Sequence, residues 1–515
     1  MRILMLAAEN DSISGAKVGG VADVIRDVPF ELAKQNVCVD VVIPDYGDYH
    51  YHYQSECVAE IEFSFAHSAE KAYLYKLTDL STEQVNQYVI VHSIFKQAGQ
   101  NGIYCHDDDN RPFARDATKF ALLCKVVAEC LLNNYFNADV FHLHDWHAAT
   151  LAVLLKFDPR YHQFSNKHLV YTVHNLALQG TRPFKDDESS LETWFPALSY
   201  DGGLICDPHH PFCYNPMRAA ITLVDKVHFV SESYAKEVLT PSNHVLGVYG
   251  GEGLESVLAE HQQKLVGILN GCEYPELPEP KITLDCFLRS SQAAIRSWMT
   301  QFEYLKTVHY LAHEQIRLWQ DSPKFNGPIV TSIGRLTEQK VRLLIEETQG
   351  ELVLTKLLKQ LEQQGGRFIM LGSGDSHYEY KLMQLMAKHS NFLFLNGYGQ
   401  SLSDDLYFLG DVFLMPSSFE PCGISQMLAL RSGQPCIVHG VGGLKDTISH
   451  LENGFVFNGD SITEQVKALE SVFNDALALM TSKRKWQSLI DTAKASRFSW
   501  HNSIQQYKNA LYKAN

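Results

Sequence analysis

Along this chain, short apolar runs alternate with stretches whose apolar positions recur every three or four residues. Ile3 to Ala8 is such a run and reads as a central strand. Lys17-Val-Gly-Gly20 follows in a loop, and Val21, Val24, Ile25, Val28, Leu32 and Ala33 then fall at helical spacing, with Pro29 expected to kink or delay that helix. Val37 to Pro44 is the next strand. Residues 51–94 hold alternating runs suited to an edge hairpin or extra strands, and 95–115 read as a long loop. A helix from about Asp116 to Asn133 leads to Asp139-Val-Phe-His-Leu-His-Asp-Trp-His147. The strand His168 to Asn175 and the runs beginning at Lys226 and Lys264 complete a first sheet.

Pro275, Pro278 and Pro280 mark the expected linker. Beyond it lie a helical stretch near 286–319 and strands at 328–333, 367–371, 391–395, 411–416 and 435–439, with helices between them and a last long helix to about Ser496. Strands alternating with helices imply parallel sheets. The chain is therefore α/β, with two doubly wound, Rossmann-like domains facing across a cleft. The expected bounds are 1–264 and 265–496, with 497–515 docking back on the first domain.

Length and charge narrow the classes. At 515 residues the chain exceeds one ordinary core. Its 45% hydrophobic and 20% charged residues are those of a soluble globular protein, and a net charge of −15 argues against a nucleic-acid surface. In such a negative field, a phosphate-bearing substrate depends on individual cations. The 11 cysteines, an odd number without Cys-x-x-Cys spacing, fit reduced thiols and a cytoplasmic protein. No stretch suits a signal peptide or membrane span.

Each chemistry-bearing motif has two readings. Ser418-Phe-Glu-Pro-Cys-Gly-Ile-Ser-Gln426 joins an apolar strand to a helix start, so Glu420 either grips a substrate or is a solvated loop carboxylate. Gly19 and Gly20 let a backbone approach a phosphate while Lys17 adds charge, or they make only a tight connection. Arg335 and Lys340, after a strand, converge on a diphosphate or are exposed basic residues at a helix start. His142, His144 and His147 around Asp145 have the look of a metal cluster, or else of hydrogen-bonding groups at a strand end. His174-Asn175 is a site pair or a satisfied strand edge.

Taken together, these stretches resemble the bacterial glycogen synthase and plant starch synthase family, retaining glucosyltransferases that use ADP-glucose. Lys17 to Val24, His142 to Ala148, Thr172 to Gly180, Gly267 to Gly271, Arg335 to Lys340, Phe419 to Gly423, and Thr447 after Gly442-Gly-Leu444 carry the resemblance. It implies a two-domain GT-B fold. It also implies that Lys17, Gly19, Gly20 and Asp23 meet the sugar nucleotide, that Arg335 and Lys340 hold its diphosphate, and that Glu420 with the Cys422 and Gly423 N–H groups binds glucose hydroxyls. His174 would sit over the reacting sugar, with Asp145 and Asn175 binding substrate and Tyr398 stacking on adenine.

The implied partners are ADP-glucose and an α-glucan, with no cofactor, metal, nucleic acid or membrane. The oligomeric state is left open. The chain departs from the family in several places. Glu9 and Lys17 stand further apart than usual, across Asp11 to Gly15, a loop near the expected acceptor entrance. Asn270-Gly-Cys-Glu-Tyr-Pro275 lacks the family's Trp, Val341 replaces a glycine, Gly399 stands where a His is common, and Leu428 takes the place of a second glutamate. Transfer from another nucleotide sugar or to a small acceptor, and a non-catalytic glucan-binding paralogue, are the competing functions.

Overall fold

The computed structural model describes residues 1–99, 102–274, 282–300, 305–322 and 325–513; the expected proline linker lies outside them. Packing divides the chain into two compact units. The first is Met1–Ser242, Gly250–Gly271 and Trp500–Asn515, and the second is Asn243–Tyr249 and Cys272–Ser499.

The first unit is built on a nine-stranded sheet. Its strands are β1 (Arg2–Leu6), β2 (Cys38–Pro44), β3 (Ser55–Phe65), β4 (Ser68–Leu77), β5 (Val85–Val91), β6 (Val140–His144) and β7 (His168–Val173), followed by β10 (Lys226–Phe229) and β11 (Leu265–Gly267); β8 (Arg182–Pro183) and β9 (Cys213–Tyr214) form a separate hairpin. The sheet order is β11-β10-β7-β6-β1-β2-β5-β4-β3. It is parallel as far as β5 and antiparallel through β4 and β3. Central strands such as β1 are apolar on both faces, as a covered parallel sheet requires. At the edge, Ile61, Phe63 and Phe65 are buried while Glu60, Glu62 and Ser64 face water, the period-2 signature of a half-solvated strand.

The helix Gly20–Ala33 buries Val24, Ile25, Val28 and Leu32. It runs through Pro29 without ending there, because a buried apolar stripe outweighs one lost backbone bond. Leu265–Gly267 pairs with β10, so the first unit extends to Gly271 rather than to 264.

The second unit has a six-stranded parallel sheet. Its strands are β12 (Ile329–Ile333), β15 (Arg367–Gly372), β16 (Phe392–Asn396), β17 (Val412–Met415), β18 (Cys436–His439) and β19 (Gly454–Phe457), in the order β16-β15-β12-β17-β18-β19; β13 (Glu347–Thr348) and β14 (Glu351–Leu352) pair apart. The sequence pattern missed β19, which is short and begins with glycine. The helical stretch near 286–319 is two helices, Leu284–Met299 and Thr307–Gln320, and the last long helix is likewise two, Ile462–Met480 and Lys483–Ala495. Apolar periodicity continues through such breaks, so pattern alone does not reveal them.

Residues 500–515 belong to the first unit. The helix Trp500–Gln506 docks there through Trp500 Nε1, which donates to Asp27 Oδ2 (2.9 Å), and Ser503 Oγ, which donates to Leu269 O (2.6 Å). A Cβ at Gly271 would lie 2.4 Å from the Trp500 nitrogen, so only glycine admits this approach.

Candidate active site

In each parallel sheet the chain winds outward in both directions from one point, and the loops at the carboxyl ends of the strands flanking that point are where ligands bind in such folds. In the first sheet this point lies between β1 and β6; in the second it lies between β12 and β17.

Three adjacent strands of the first unit, β1, β6 and β7, carry its candidates. After β1, the buried carboxylate of Glu9 accepts the backbone N–H groups of Val18 and Gly19 through Oε2, each at 2.7 Å, and the Tyr104 hydroxyl through Oε1 at 2.6 Å. Glu9 shapes the glycine loop from within, a role the sequence reading did not assign to it. Gly19 has an extended φ of −131°, and a Cβ at Gly20 would meet nothing within 4 Å. Neither glycine is demanded by the protein's own packing.

Lys17 Nζ lies 2.7 Å from Asp23 Oδ1 and 3.1 Å from Asp11 Oδ2. Burial opposes its charge, but the two carboxylates outweigh this and raise its pKa. Arg26 pairs with Asp11 and with Asp27 as well. The loop after Glu9 therefore delivers an extra carboxylate to Lys17, a contact that no spacing argument had indicated.

After β6, Asp145 has φ +54°, a conformation uncommon outside glycine. It is buried, and its Oδ1 accepts the His174 backbone N–H at 2.8 Å. Burial pushes its carboxyl up to about 7, against the opposing bonds from the His174 and Asn175 backbone. After β7, Asn175 Oδ1 accepts the Ala177 N–H (2.8 Å), and His174 Nε2 lies 3.0 Å from His144 Nδ1.

The histidines form a hydrogen-bonded ladder. His228 Nε2 donates to Ile268 O (3.2 Å), so its Nδ1 accepts from the Thr172 hydroxyl (3.0 Å). That hydroxyl in turn accepts His142 Nε2–H (2.6 Å), leaving His142 Nδ1 to accept from Tyr512 (2.9 Å). Burial holds His142 and His144 well below the ordinary range, His228 at about 4 and His174 at about 3. All four are neutral at pH 7.

In the second unit, Arg335 follows β12; it is exposed, with no ion pair among the described residues. Lys340, in the helix Glu338–Ile345, forms an ion pair with Glu420, which follows β17. Residues expected separately at the diphosphate and at the sugar are thus joined to each other. Ser417 Oγ donates to the same Glu420 oxygen (3.2 Å), and Ser418 N donates to Gln339 O (2.7 Å), tying the two loops together.

Gly423 has φ +78°, and Gln426 Nε2 donates to the carbonyls of Cys422 (3.1 Å) and Gly423 (3.0 Å). Gly442 and Gly443 support this turn from behind: Cβ atoms there would lie 2.1 Å from Glu420 O and 2.2 Å from Cys422 O. Tyr398 follows β16 with its ring exposed and its hydroxyl donating to Gln400 Oε1 (2.7 Å). Trp298 Nε1 donates to the Tyr398 carbonyl (3.0 Å), a supporting contact that the sequence did not signal.

Residues 318–488 match the family model described as glycosyl transferases group 1, and residues 2–260 match that of the starch synthase catalytic domain. Two Rossmann-like units with charged loops at their switch points are those of a GT-B glycosyltransferase. Glycogen synthase of Lactobacillus acidophilus is 31% identical, with 99% of this chain and 98% of that protein aligned; that of Desulfitobacterium hafniense is 29% identical over 99% and 98%. The catalytic domain of starch synthase IV from Arabidopsis thaliana, solved bound to ADP and acarbose, is similar with a TM-score of 0.75 at 25% identity, over 99% of this chain and 98% of that one. The chain belongs to the glycogen and starch synthase family.

Proposed function

We propose that this enzyme transfers glucose from ADP-glucose to the non-reducing end of an α-1,4-glucan with retention of configuration. The observation that carries the reading is the Lys340–Glu420 pair at the second sheet's switch point, with exposed Arg335 at the start of the same loop. The ADP and acarbose bound to the Arabidopsis relative support the choice of nucleotide and glucan.

Breaking the glucosyl–phosphate bond builds positive charge on the sugar and negative charge on departing ADP. Arg335 and Lys340 stabilise that phosphate more in the transition state than in the ground state. As the diphosphate takes over Lys340, Glu420 turns to the glucose hydroxyls, which the Cys422 and Gly423 N–H groups also bind, and Tyr398 stacks on adenine. The acceptor hydroxyl attacks from the leaving group's own face, and the departing phosphate takes its proton.

In the first unit, on the acceptor side, Lys17, Gly19, Gly20 and Asp23 bind substrate, and the open space over Gly20 supports a close backbone approach. His174 faces the reacting sugar, with Asp145 and Asn175 setting its loop. A cytoplasmic setting suits the 11 cysteines, all of them free thiols.

Radiolabelled transfer onto glycogen tests this reading. Incorporation from ADP-glucose well above that from UDP-glucose is expected. No incorporation from ADP-glucose would overturn it.

A further inference from the structure

We propose that His144 is a positioning residue that fixes the ring tautomer of His174, so that His174 presents Nδ1–H to its ligand as a hydrogen-bond donor. Its consequence for turnover rests on His174 facing the sugar; the tautomer itself does not.

The 3.0 Å separation of His144 Nδ1 and His174 Nε2 requires one proton between two neutral rings. In the first arrangement His144 Nδ1–H donates, His174 carries its own proton on Nδ1, and His144 Nε2 is left as a bare lone pair. In the second, His174 Nε2–H donates, and His144 must carry its proton on Nε2.

The environment of His144 Nε2 decides between them. It is buried and has no hydrogen-bond partner among the described residues. The second arrangement would bury an unpaired N–H donor, while the first leaves only an unfilled acceptor. Orphaned N–H groups are the rarer and costlier case. The ring is also held in orientation, with His142 at a centroid distance of 4.2 Å and His174 at 5.4 Å. Burial keeps both members of the pair uncharged at working pH, so no second proton disturbs the choice.

His174 Nδ1 forms no hydrogen bond to protein among the described residues, which leaves it for a ligand. A donor there binds a sugar oxygen and cannot accept a proton from the acceptor hydroxyl. His174 therefore polarises or orients and does not act as a general base.

The test begins with the full-length protein labelled with ¹⁵N-histidine, the His174 signals being assigned by comparison with His174→Asn. Protonation at Nδ1 is expected in the ligand-free enzyme, and protonation at Nε2 overturns the proposal whatever the protein's activity. Kinetics supply a second readout. His144→Phe removes the donor, and kcat should fall at least tenfold with KM for ADP-glucose within threefold. His144→Asn, whose amide nitrogen stands where Nδ1 stood, should recover at least a third of the wild-type kcat. Undiminished turnover in folded His144→Phe, or a folded His144→Asn as impaired as the Phe variant, contradicts the positioning role. If His144→Phe does not fold, the wild-type tautomer decides alone. Absence of any glucose transfer would instead count against the proposed function.

Discussion

The Trp500 indole donates to Asp27 across 2.9 Å, joining the carboxy-terminal helix to the helix that follows the glycine loop. Asp27 also accepts from Arg26, so this one carboxylate serves two donors. Trp500→Phe keeps the apolar contact and removes the hydrogen bond. A loss of about 0.5–1.5 kcal/mol in unfolding free energy is expected, the worth of one hydrogen bond, since the acceptor oxygen keeps its bond from Arg26 and is not left unsatisfied. Equal urea midpoints for variant and wild type would show that the bond contributes nothing.

Lys340 and Glu420 form the pair on which the proposed chemistry rests. Lys340→Ala removes the cation that the proposed function assigns to the departing phosphate, and by analogy with a lost oxyanion donor kcat should fall about 100- to 1000-fold. Steady-state kinetics with ADP-glucose and glycogen measure this. Turnover within a few-fold of wild type would detach Lys340 from the reaction.

Asp11 shares Lys17 with Asp23, and under the proposed function it competes with the nucleotide sugar for that cation. In Asp11→Asn the Asp23 contact remains to orient Lys17, while one competing negative charge is gone. The pair is partly exposed, so the effect is modest: KM for ADP-glucose should fall by about two- to fivefold, equivalent to less than ~1 kcal/mol, with kcat little changed. A raised KM would mean that Asp11 helps rather than competes.

Asp145 ties pH to stability. Its carboxyl titrates near 7 in the fold against an ordinary 3.8, because burial disfavours its charge. Protonated Asp145 favours the folded state; that contribution is complete below 3.8 and is lost as pH rises toward 7. Asp145→Asn still accepts the His174 N–H but bears no charge. Its stability relative to wild type should therefore rise between pH 4 and pH 7, by urea denaturation at each pH. A difference that does not vary with pH would place the Asp145 carboxyl in the ordinary range.

Gly442 has φ +43°, and a Cβ there would meet the Glu420 carbonyl at 2.1 Å. Gly442→Ala should push the Glu420 turn out of place and lower kcat at least tenfold while the two sheets stay folded. Circular dichroism and kinetics together test this. Unaltered kcat would show that the turn tolerates displacement.

The alternation of strands and helices was legible because backbone hydrogen bonding and the covering of both sheet faces act locally. Ile3–Ala8, Val37–Pro44 and 411–416 show their burial in their own composition. The division of the 286–319 stretch into two helices, Leu284–Met299 and Thr307–Gln320, and the break at 481–482 were not legible, since apolar spacing marks neither. Lys17, Asp145, His174, Arg335 and Glu420 all fall in the segments that follow strands, and it was the resemblance to the family that chose the site reading of each over the structural one. What those residues touch was settled only in three dimensions.

The sequence by itself determined the parallel cores of the two sheets and the loops in which charge accumulates, because the periodicity of apolar side chains dictates which backbone geometry can bury them. Only the tertiary structure decided that Asp11 would sit on Lys17, that Lys340 would meet Glu420 and that His144 would face His174. Lys340 and Glu420, 80 positions apart, and His144 and His174, 30 apart, meet because the strands before them are neighbours in their sheets, while Asp11 and Lys17, six apart, meet through the folding of the loop after β1; apolar periodicity records neither strand order nor loop path.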